Sequence, residues 1–168
     1  MSCDDAIYLP KNLGDLHYEL ELAVLITERL SNITVAEAKL GKYYFAVALD
    51  LTLRDLQFDL KSKGLPWEKA KAFDGSCVIS PWTSRYSLAD VYNLCICLDI
   101  NGQQKQSTII KNMMVPIPDL ISHISQFFTL LPGDVVLTGT PKGVGKLNAG
   151  DKLSMSLNNT AYNVVVKG

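Results

Sequence analysis

Between residues 17 and 26 the chain reads HYELELAVLI, polar and apolar in alternation and then apolar throughout. Alternation of period two predicts a strand, with successive side chains on opposite faces. Glu19 and Glu21 then share one face with His17 beside them, while Leu20, Leu22 and Val24 share the other. The apolar run from Ala23 to Ile26 predicts burial on both faces. Two carboxylates at the mouth of a buried strand repel each other unless positive charge sits between them. Taken alone, the stretch reads as a solvated strand face, with a divalent cation site as the alternative.

Periodicity of the same kind organises the rest of the chain. Thr34 and Glu37 form a T-x-x-E capping box ahead of a short helix over VAEAKLGKY. YYFAVALDL predicts a second buried strand that delivers Asp50 at its end, and a helix comes at once after it with Leu53, Leu56 and Leu60 as its core stripe. Gly64 closes that helix and Pro66 prevents its resumption. Leu94–Ile100 reads as a strand, Asn101-Gly102 as a two-residue hairpin turn, and QQKQSTII as the return strand. Residues 116–130 predict an amphipathic helix, with Pro118 in its first turn and Leu120, Ile121, Ile124 and Phe127 facing inward. His123 lies on it as an ordinary surface or partly buried histidine. Pro132-Gly133-Asp134 turns into the buried strand VVLTG. KLSMSL, a turn at Asn158-Asn159, and AYNVVVK close the chain as a hairpin, while the first dozen residues read as irregular. Strands dominate and helices are few and short, which predicts an α+β, β-rich sandwich or roll rather than a doubly wound sheet.

Composition narrows the function classes. One domain with a real core fits 168 residues, and a net charge of −1 with mixed signs leaves no basic surface for nucleic acid or an anionic membrane. No apolar run approaches a transmembrane span, and the start lacks the order of a signal peptide. Cys3, Cys77, Cys95 and Cys97 form no CxxC pair, and Cys95 and Cys97 share a strand face, so buried reduced thiols are expected. These features predict a cytoplasmic protein.

Three further groups carry candidate chemistry. Arg54 and Gln57, three apart on the second helix, share a face within a turn of Asp50, either as a binding pair or as solvated surface. Lys69, Lys71 and Asp74 lie in the irregular stretch LPWEKAKAFDGSC. TGTPKGVGK, directly after a strand, tempts a phosphate-loop reading but fails it. Five residues separate Gly139 from Gly145, Leu147 follows Lys146, and no helix pattern comes after. It reads instead as a tight turn exposing backbone N–H groups and the hydroxyls of Thr138 and Thr140, suited to a carboxylate or to packing alone.

Together HYELELAVLI, VALDLTLRDLQ, GLPWEKAKAFDGSC and GDVVLTGTPKGVG resemble the fumarylacetoacetate hydrolase family, and within it the acylpyruvate hydrolase branch. The similarity runs from about Gly14 to the C-terminus over residues 1–168 taken as one catalytic domain, with all four blocks in the family's order. The resemblance implies a mixed β-sandwich roll of the family's C-terminal domain type, a homodimer, and a divalent ion held by Glu19, Glu21 and Asp50. Three carboxylates without nitrogen or sulfur suit a hard cation, Mg²⁺ or Mn²⁺. It also implies substrate contacts at Arg54, Gln57, Gly139 and Thr140, with Lys71 as the catalytic cation beside the ion. The implied reaction is hydrolysis of a carbon–carbon bond in an acylpyruvate or related 2,4-dioxo acid through a metal-stabilised enolate.

Departures from the family qualify this. Its proton-transfer histidine and glutamate, on a short lid helix, and its Lys-Pro strand lie upstream of the ELE strand, so the chain resembles a member lacking several tens of N-terminal residues. Ile110 stands where a polar residue is usual three before Met113, and Tyr18 where relatives often carry a second histidine. His17 is expected to be structural. Oxaloacetate decarboxylation or keto–enol tautomerisation, which share the enolate, remain alternatives, as does a non-catalytic relic that binds a cation or a dicarboxylate.

Overall fold

The computed structural model describes residues 6–168; Cys3 lies outside the described residues. In chain order the elements are β1 (Ile7–Tyr8), β2 (Leu16–Tyr18), β3 (Leu20–Ile26), α1 (Val35–Leu40), β4 (Tyr43–Asp50), β5 (Thr52–Leu53), α2 (Arg54–Ser62), β6 (Cys77–Ile79), α3 (Leu88–Val91), β7 (Cys95–Ile100), β8 (Gln103–Ile109), α4 (Ile117–Phe127), β9 (Val135–Leu137), β10 (Gly145–Lys146), β11 (Lys152–Leu157) and β12 (Thr160–Lys167). They form a five-stranded sheet β1-β12-β11-β7-β8, a four-stranded sheet β6-β4-β3-β9 and a three-stranded sheet β10-β2-β5. Every described pairing is antiparallel except β1 with β12. The β-rich class expected from the pattern is the one observed.

β3 and β4 pack against β7 and β11, so the larger sheets face one another. Between them lie Leu22, Val24, Phe45, Val47 and Leu49 from one sheet and Ile96, Leu98, Leu153, Met155 and Leu157 from the other. The opposite face of the four-stranded sheet is also closed, over Ala23, Ala46 and Ala48, by Ile79, Trp82 and Leu137. Burial on both sides of the apolar run is thus observed, and small residues make the thin second face.

The single strand expected from His17 to Ile26 is two. β2 pairs with β5 and β10, whereas β3 pairs with β4 and β9, so the chain changes sheets at Glu19. Alternation continues across the join, which is why the sequence pattern does not betray it. The N-terminal residues are not all irregular either. Ile7 and Tyr8 lie parallel to Val166 and Lys167, a pairing too short to leave a period.

The capping box at Thr34 and Glu37 forms, but α1 ends at Leu40 because Gly41 turns extended and Tyr43 opens β4. The stripe expected on α2 is only half-buried. Leu53 belongs to β5, no residue of α2 is buried, and Phe58 is exposed. On α4 Ile121 faces the core as expected, yet Phe127 is 69% exposed. Ser122 and Ser125 take buried places instead, their hydroxyls donating to the carbonyls of Ile33 and Ser122 at 2.8 Å each. Val135, in the strand expected to be buried, is exposed at the sheet edge while Val136 is buried. Cys77, Cys95 and Cys97 are free and only half-buried. The hairpin turn is as read, with both Asn101 and Gly102 at positive φ (54° and 77°).

Ser125 also accepts the Ile33 N–H at 3.0 Å. Ser125→Ala leaves the Ile33 N–H without its partner and is expected to destabilise the protein by about 1–3 kcal/mol. A lowered urea midpoint with an unchanged m-value checks it.

Candidate metal centre

The change of sheets at Glu19 sets the site. Glu19 accepts the Asp50 N–H on its carbonyl at 2.9 Å, and Leu20 and Glu21 lie opposite Leu49 and Ala48. Asp50 at the end of β4 is therefore held beside the two glutamates. Carboxylate oxygens of Glu19, Glu21 and Asp50 lie within 4.8 Å of one another. Glu19 is 9% and Glu21 4% exposed. Like charges so close in a water-poor setting require compensation.

Two cations supply it. A single 3₁₀ turn at Glu68–Ala70 anchors on the fully buried Ala70 and points the next residue, Lys71, into the trio. Its ammonium donates to Glu19 at 2.7 Å and to Asp50 at 2.6 Å. Arg54 opens α2 directly after β5, its N–H tied to the Asp15 carbonyl at 2.9 Å. Its guanidinium pairs with Glu19 and donates to Gln57 Oε1 at 2.6 Å. The expected sharing of one face by Arg54 and Gln57 is thus a direct contact.

The carboxylates are not equivalent. Burial works to raise Glu19, but the hydrogen bonds from Lys71 and Arg54 outweigh it and hold its carboxyl below the ordinary range. Burial raises Asp50 in spite of Lys71. Glu21 touches neither cation. Among the described residues its one hydrogen bond is from the Gly139 N–H at 2.6 Å, and burial, helped by the charges of Asp50 and Glu19, pushes it up to about 7. Lys71 is raised, because its bonds to Asp50 and Glu19 overcome the effect of burial, so it stands as an ammonium.

The donor set fits a hard divalent ion. Three carboxylate oxygens within 4.8 Å of one another, with no nitrogen or sulfur among them, are the donors that Mg²⁺ or Mn²⁺ prefers. Three carboxylates against two cations leave one negative charge, and a divalent ion would turn the balance positive.

The glycine turn is partly as expected. Thr138 is fastened to β3, its N–H and hydroxyl both donating to the Leu22 carbonyl (3.1 and 2.9 Å). The Gly139 N–H, expected to be free for substrate, is engaged by Glu21. The side chains and backbone of Thr138–Pro141 line a cavity of about 260 Å³ with Ile96, Thr108, Ile110, Asn112, Met113 and Met114. His17 has its Nδ1 buried without a partner among the described residues, and burial, with Arg54 nearby, lowers its pKa. Cys77, the last residue of the GLPWEKAKAFDGSC block, is a neighbour of the site to which the sequence assigns no role. It lies opposite Asp50 in the β4–β6 register and borders the trio.

The model of the C-terminal domain of fumarylacetoacetate hydrolase matches residues 2–166. The chain belongs to the fumarylacetoacetate hydrolase family. It is 45% identical over 157 residues to the oxaloacetate tautomerase YcgM of Escherichia coli K12, covering 92% of this chain and 72% of that protein. It is 38% identical over 151 residues to the mitochondrial oxaloacetate tautomerase FAHD1 of Bos taurus, covering 90% and 68%. The crystal structure of fumarylpyruvate hydrolase from Pseudomonas aeruginosa, in complex with Mn²⁺ and pyruvate, superposes with a TM-score of 0.88 at 32% identity, over 99% of this chain and 73% of that one. The family resemblance and the sandwich-roll fold it implied are thereby shown. These relatives span a bacterial and a mitochondrial setting, and no helix among the described residues is long and apolar enough to cross a membrane.

A proton and a divalent ion compete for Glu21. Below pH 7 the metal-free carboxyl holds its proton, and the ion must displace it; above pH 7 it does not. Calorimetric titration with Mn²⁺ in buffers of different ionisation enthalpy is expected to show close to one proton released at pH 6 and close to none at pH 8. Glu21→Gln is expected to fold, to lose at least about a hundredfold in Mn²⁺ affinity and to abolish that pH dependence.

Proposed function

We propose that this chain carries the active centre of a divalent-metal-dependent enzyme that interconverts the keto and enol forms of a short 2-oxo dicarboxylate, oxaloacetate being the representative substrate. The observation that carries the reading is the convergence of Glu19, Glu21 and Asp50 within 4.8 Å, with the Lys71 ammonium bonded to Glu19 and Asp50. The names of the relatives at 45% and 38% identity favour tautomerisation over the carbon–carbon hydrolysis that the motif resemblance favours.

Glu19, Glu21 and Asp50 would hold Mg²⁺ or Mn²⁺, which supplies a Lewis acid for paired oxygens on adjacent carbons. The remaining steps belong to side chains. Lys71, an ammonium bonded to Glu19 and Asp50, would present its positive charge to the C2 oxygen of the substrate. Enol and keto forms interconvert through one enolate: the enol O–H proton is lost and C3 gains a proton. Steadying negative charge on that oxygen therefore speeds exchange in both directions. Arg54 offers a planar fork to the substrate's distal carboxylate, with Gln57 fixing the guanidinium. The positive balance of the loaded site selects an anion.

Hydrolysis of an acylpyruvate is the second reading. The cavity beside Gly139, walled by Ile96, Ile110 and Met113, offers apolar room for an acyl chain, and the Pseudomonas aeruginosa protein of similar fold is named as a fumarylpyruvate hydrolase.

Enol-oxaloacetate decay followed by ultraviolet absorbance, with pyruvate release measured in parallel, separates these activities. With Mn²⁺ the protein is expected to accelerate ketonisation above the free-ion blank, without pyruvate, and EDTA to abolish the gain. No acceleration removes the tautomerase reading; cleavage of acetylpyruvate instead establishes the second. Lys71→Met is expected to lower kcat about 10²–10³-fold. Arg54→Lys is expected to act chiefly on KM, because the ammonium cannot reproduce the fork.

A further inference from the structure

Gln106 is the one buried residue of β8, 1% exposed in a strand otherwise half-buried or open to solvent. Its position stems from a β-bulge. Leu98 pairs with Gln106 while Asp99 pairs with Gln104, so Lys105 is the extra residue, and the bulge turns the Gln106 amide inward. There both of its faces are used. Oε1 accepts the Leu20 N–H at 2.9 Å. Nε2 donates to Thr140 Oγ1 at 2.9 Å and to the Pro141 carbonyl at 2.8 Å.

These partners are the two backbone segments that form the acidic site. Leu20 sits between Glu19 and Glu21 at the change of sheets, where its N–H has left one ladder for another. Thr140 and Pro141 come directly after Gly139, whose N–H is the sole hydrogen-bond donor to Glu21 among the described residues. One amide therefore spans the ligand strand and the turn that holds the ligand. The turn is fitted to the bulge at a second point as well: Gly143 has φ 105°, and a side chain there would run into the carbonyl oxygen of Lys105. The amide also sets the direction of the Thr140 hydroxyl. Oγ1 accepts from Gln106 and donates to the Pro141 carbonyl at 3.5 Å, so the hydroxyl is held within the turn, and Thr140 lines the cavity beside the site.

We propose that Gln106 is a positioning residue of the metal centre, fixing the spacing of Glu19 and Glu21 against the Gly139–Thr140 turn. Its meaning for catalysis rests on the proposed metal-dependent function, while its geometric part does not. Groups one step removed from a metal's ligands commonly alter its affinity by about 10–100-fold when lost.

Gln106→Glu is the informative variant. It keeps the acceptor for Leu20 but removes both donors, so the turn loses its tether without orphaning a strand amide. In the metal-free full chain, hydrogen exchange of the Gly139 amide is expected to accelerate at least about tenfold while the core amides of Phe45 and Val164 hold their rates. Mn²⁺ affinity is expected to fall about 10–100-fold even though the substitution adds negative charge. Gln104→Leu, two residues earlier and exposed, serves as the control. An unchanged Gly139 rate, or Mn²⁺ affinity equal to or tighter than that of the parent, overturns the proposal. If the parent itself fails to bind Mn²⁺, the metal-dependent function falls, and the exchange rates alone then decide the role of Gln106. Should Gln106→Glu not fold, Gln106→Met is measured in the same way. Loss of the fold in both variants assigns Gln106 to the core and also overturns the proposal.

Discussion

Repulsion among three carboxylates, buried at the meeting point of two sheets, is the constraint around which the rest of the site is arranged. At about 4 Å two like charges cost about 4 kcal/mol even at an effective dielectric of 20. That exceeds what an exposed ion pair returns. The compensating charges cannot come from β3 or β4, whose neighbouring positions are committed to the core. They come from the segments next along the chain after β4. α2 begins at Arg54 directly after β5, and the 3₁₀ turn seated on Ala70 presents Lys71. Local structure with little burial of its own is thus held in place by the acidic trio it neutralises, which explains why an amphipathic α2 buries none of its residues.

Much of the fold is legible from periodicity. β3, β4, the β7–β8 hairpin with its Asn101-Gly102 turn, the capping box at Thr34 and the closing hairpin are all local patterns with a local cause. The failures are non-local. A switch between sheets at Glu19 preserves alternation, so the sequence carries no mark of it. β1 exists only because the end of β12 is there to pair with it. Helical spacing puts Phe127 on the inner face of α4, yet Ser122 and Ser125 occupy that face because the Ile33 segment presents backbone groups that an apolar side chain would leave unsatisfied.

The candidate site divides in the same way. Strand alternation, helical spacing and the family resemblance point to Glu19, Glu21, Asp50, Arg54, Gln57 and Lys71, and the structure brings them together. Spacing does not carry direction. The Gly139 N–H, an open donor by its place in the turn, points back at Glu21. Gln106 sits in the run QQKQ, which has the composition of a solvent-exposed strand. Only a bulge, invisible until β7 and β8 are in register, turns one of those glutamines inward.

The difference between Glu19 and Glu21 arises from these directions. Glu19, at the join, is open on the side from which α2 and the 3₁₀ turn approach, and it gathers both cations. Glu21, one pleat further into the four-stranded sheet, lies beyond their hydrogen-bonding reach and receives only a backbone N–H. Two chemically identical side chains, two residues apart on one face, are therefore held in opposite protonation tendencies, Glu21 by burial and the neighbouring carboxylates and Glu19 by its bonds from Lys71 and Arg54. Such an arrangement is costly as plain structure, since a buried carboxylate with a single neutral donor would be better replaced by an amide of the same shape. Its persistence in a close-packed strand is accounted for if the missing positive charge arrives from outside the chain. A divalent ion would relieve Glu21 most and Glu19 least, because Glu19 already holds both Lys71 and Arg54.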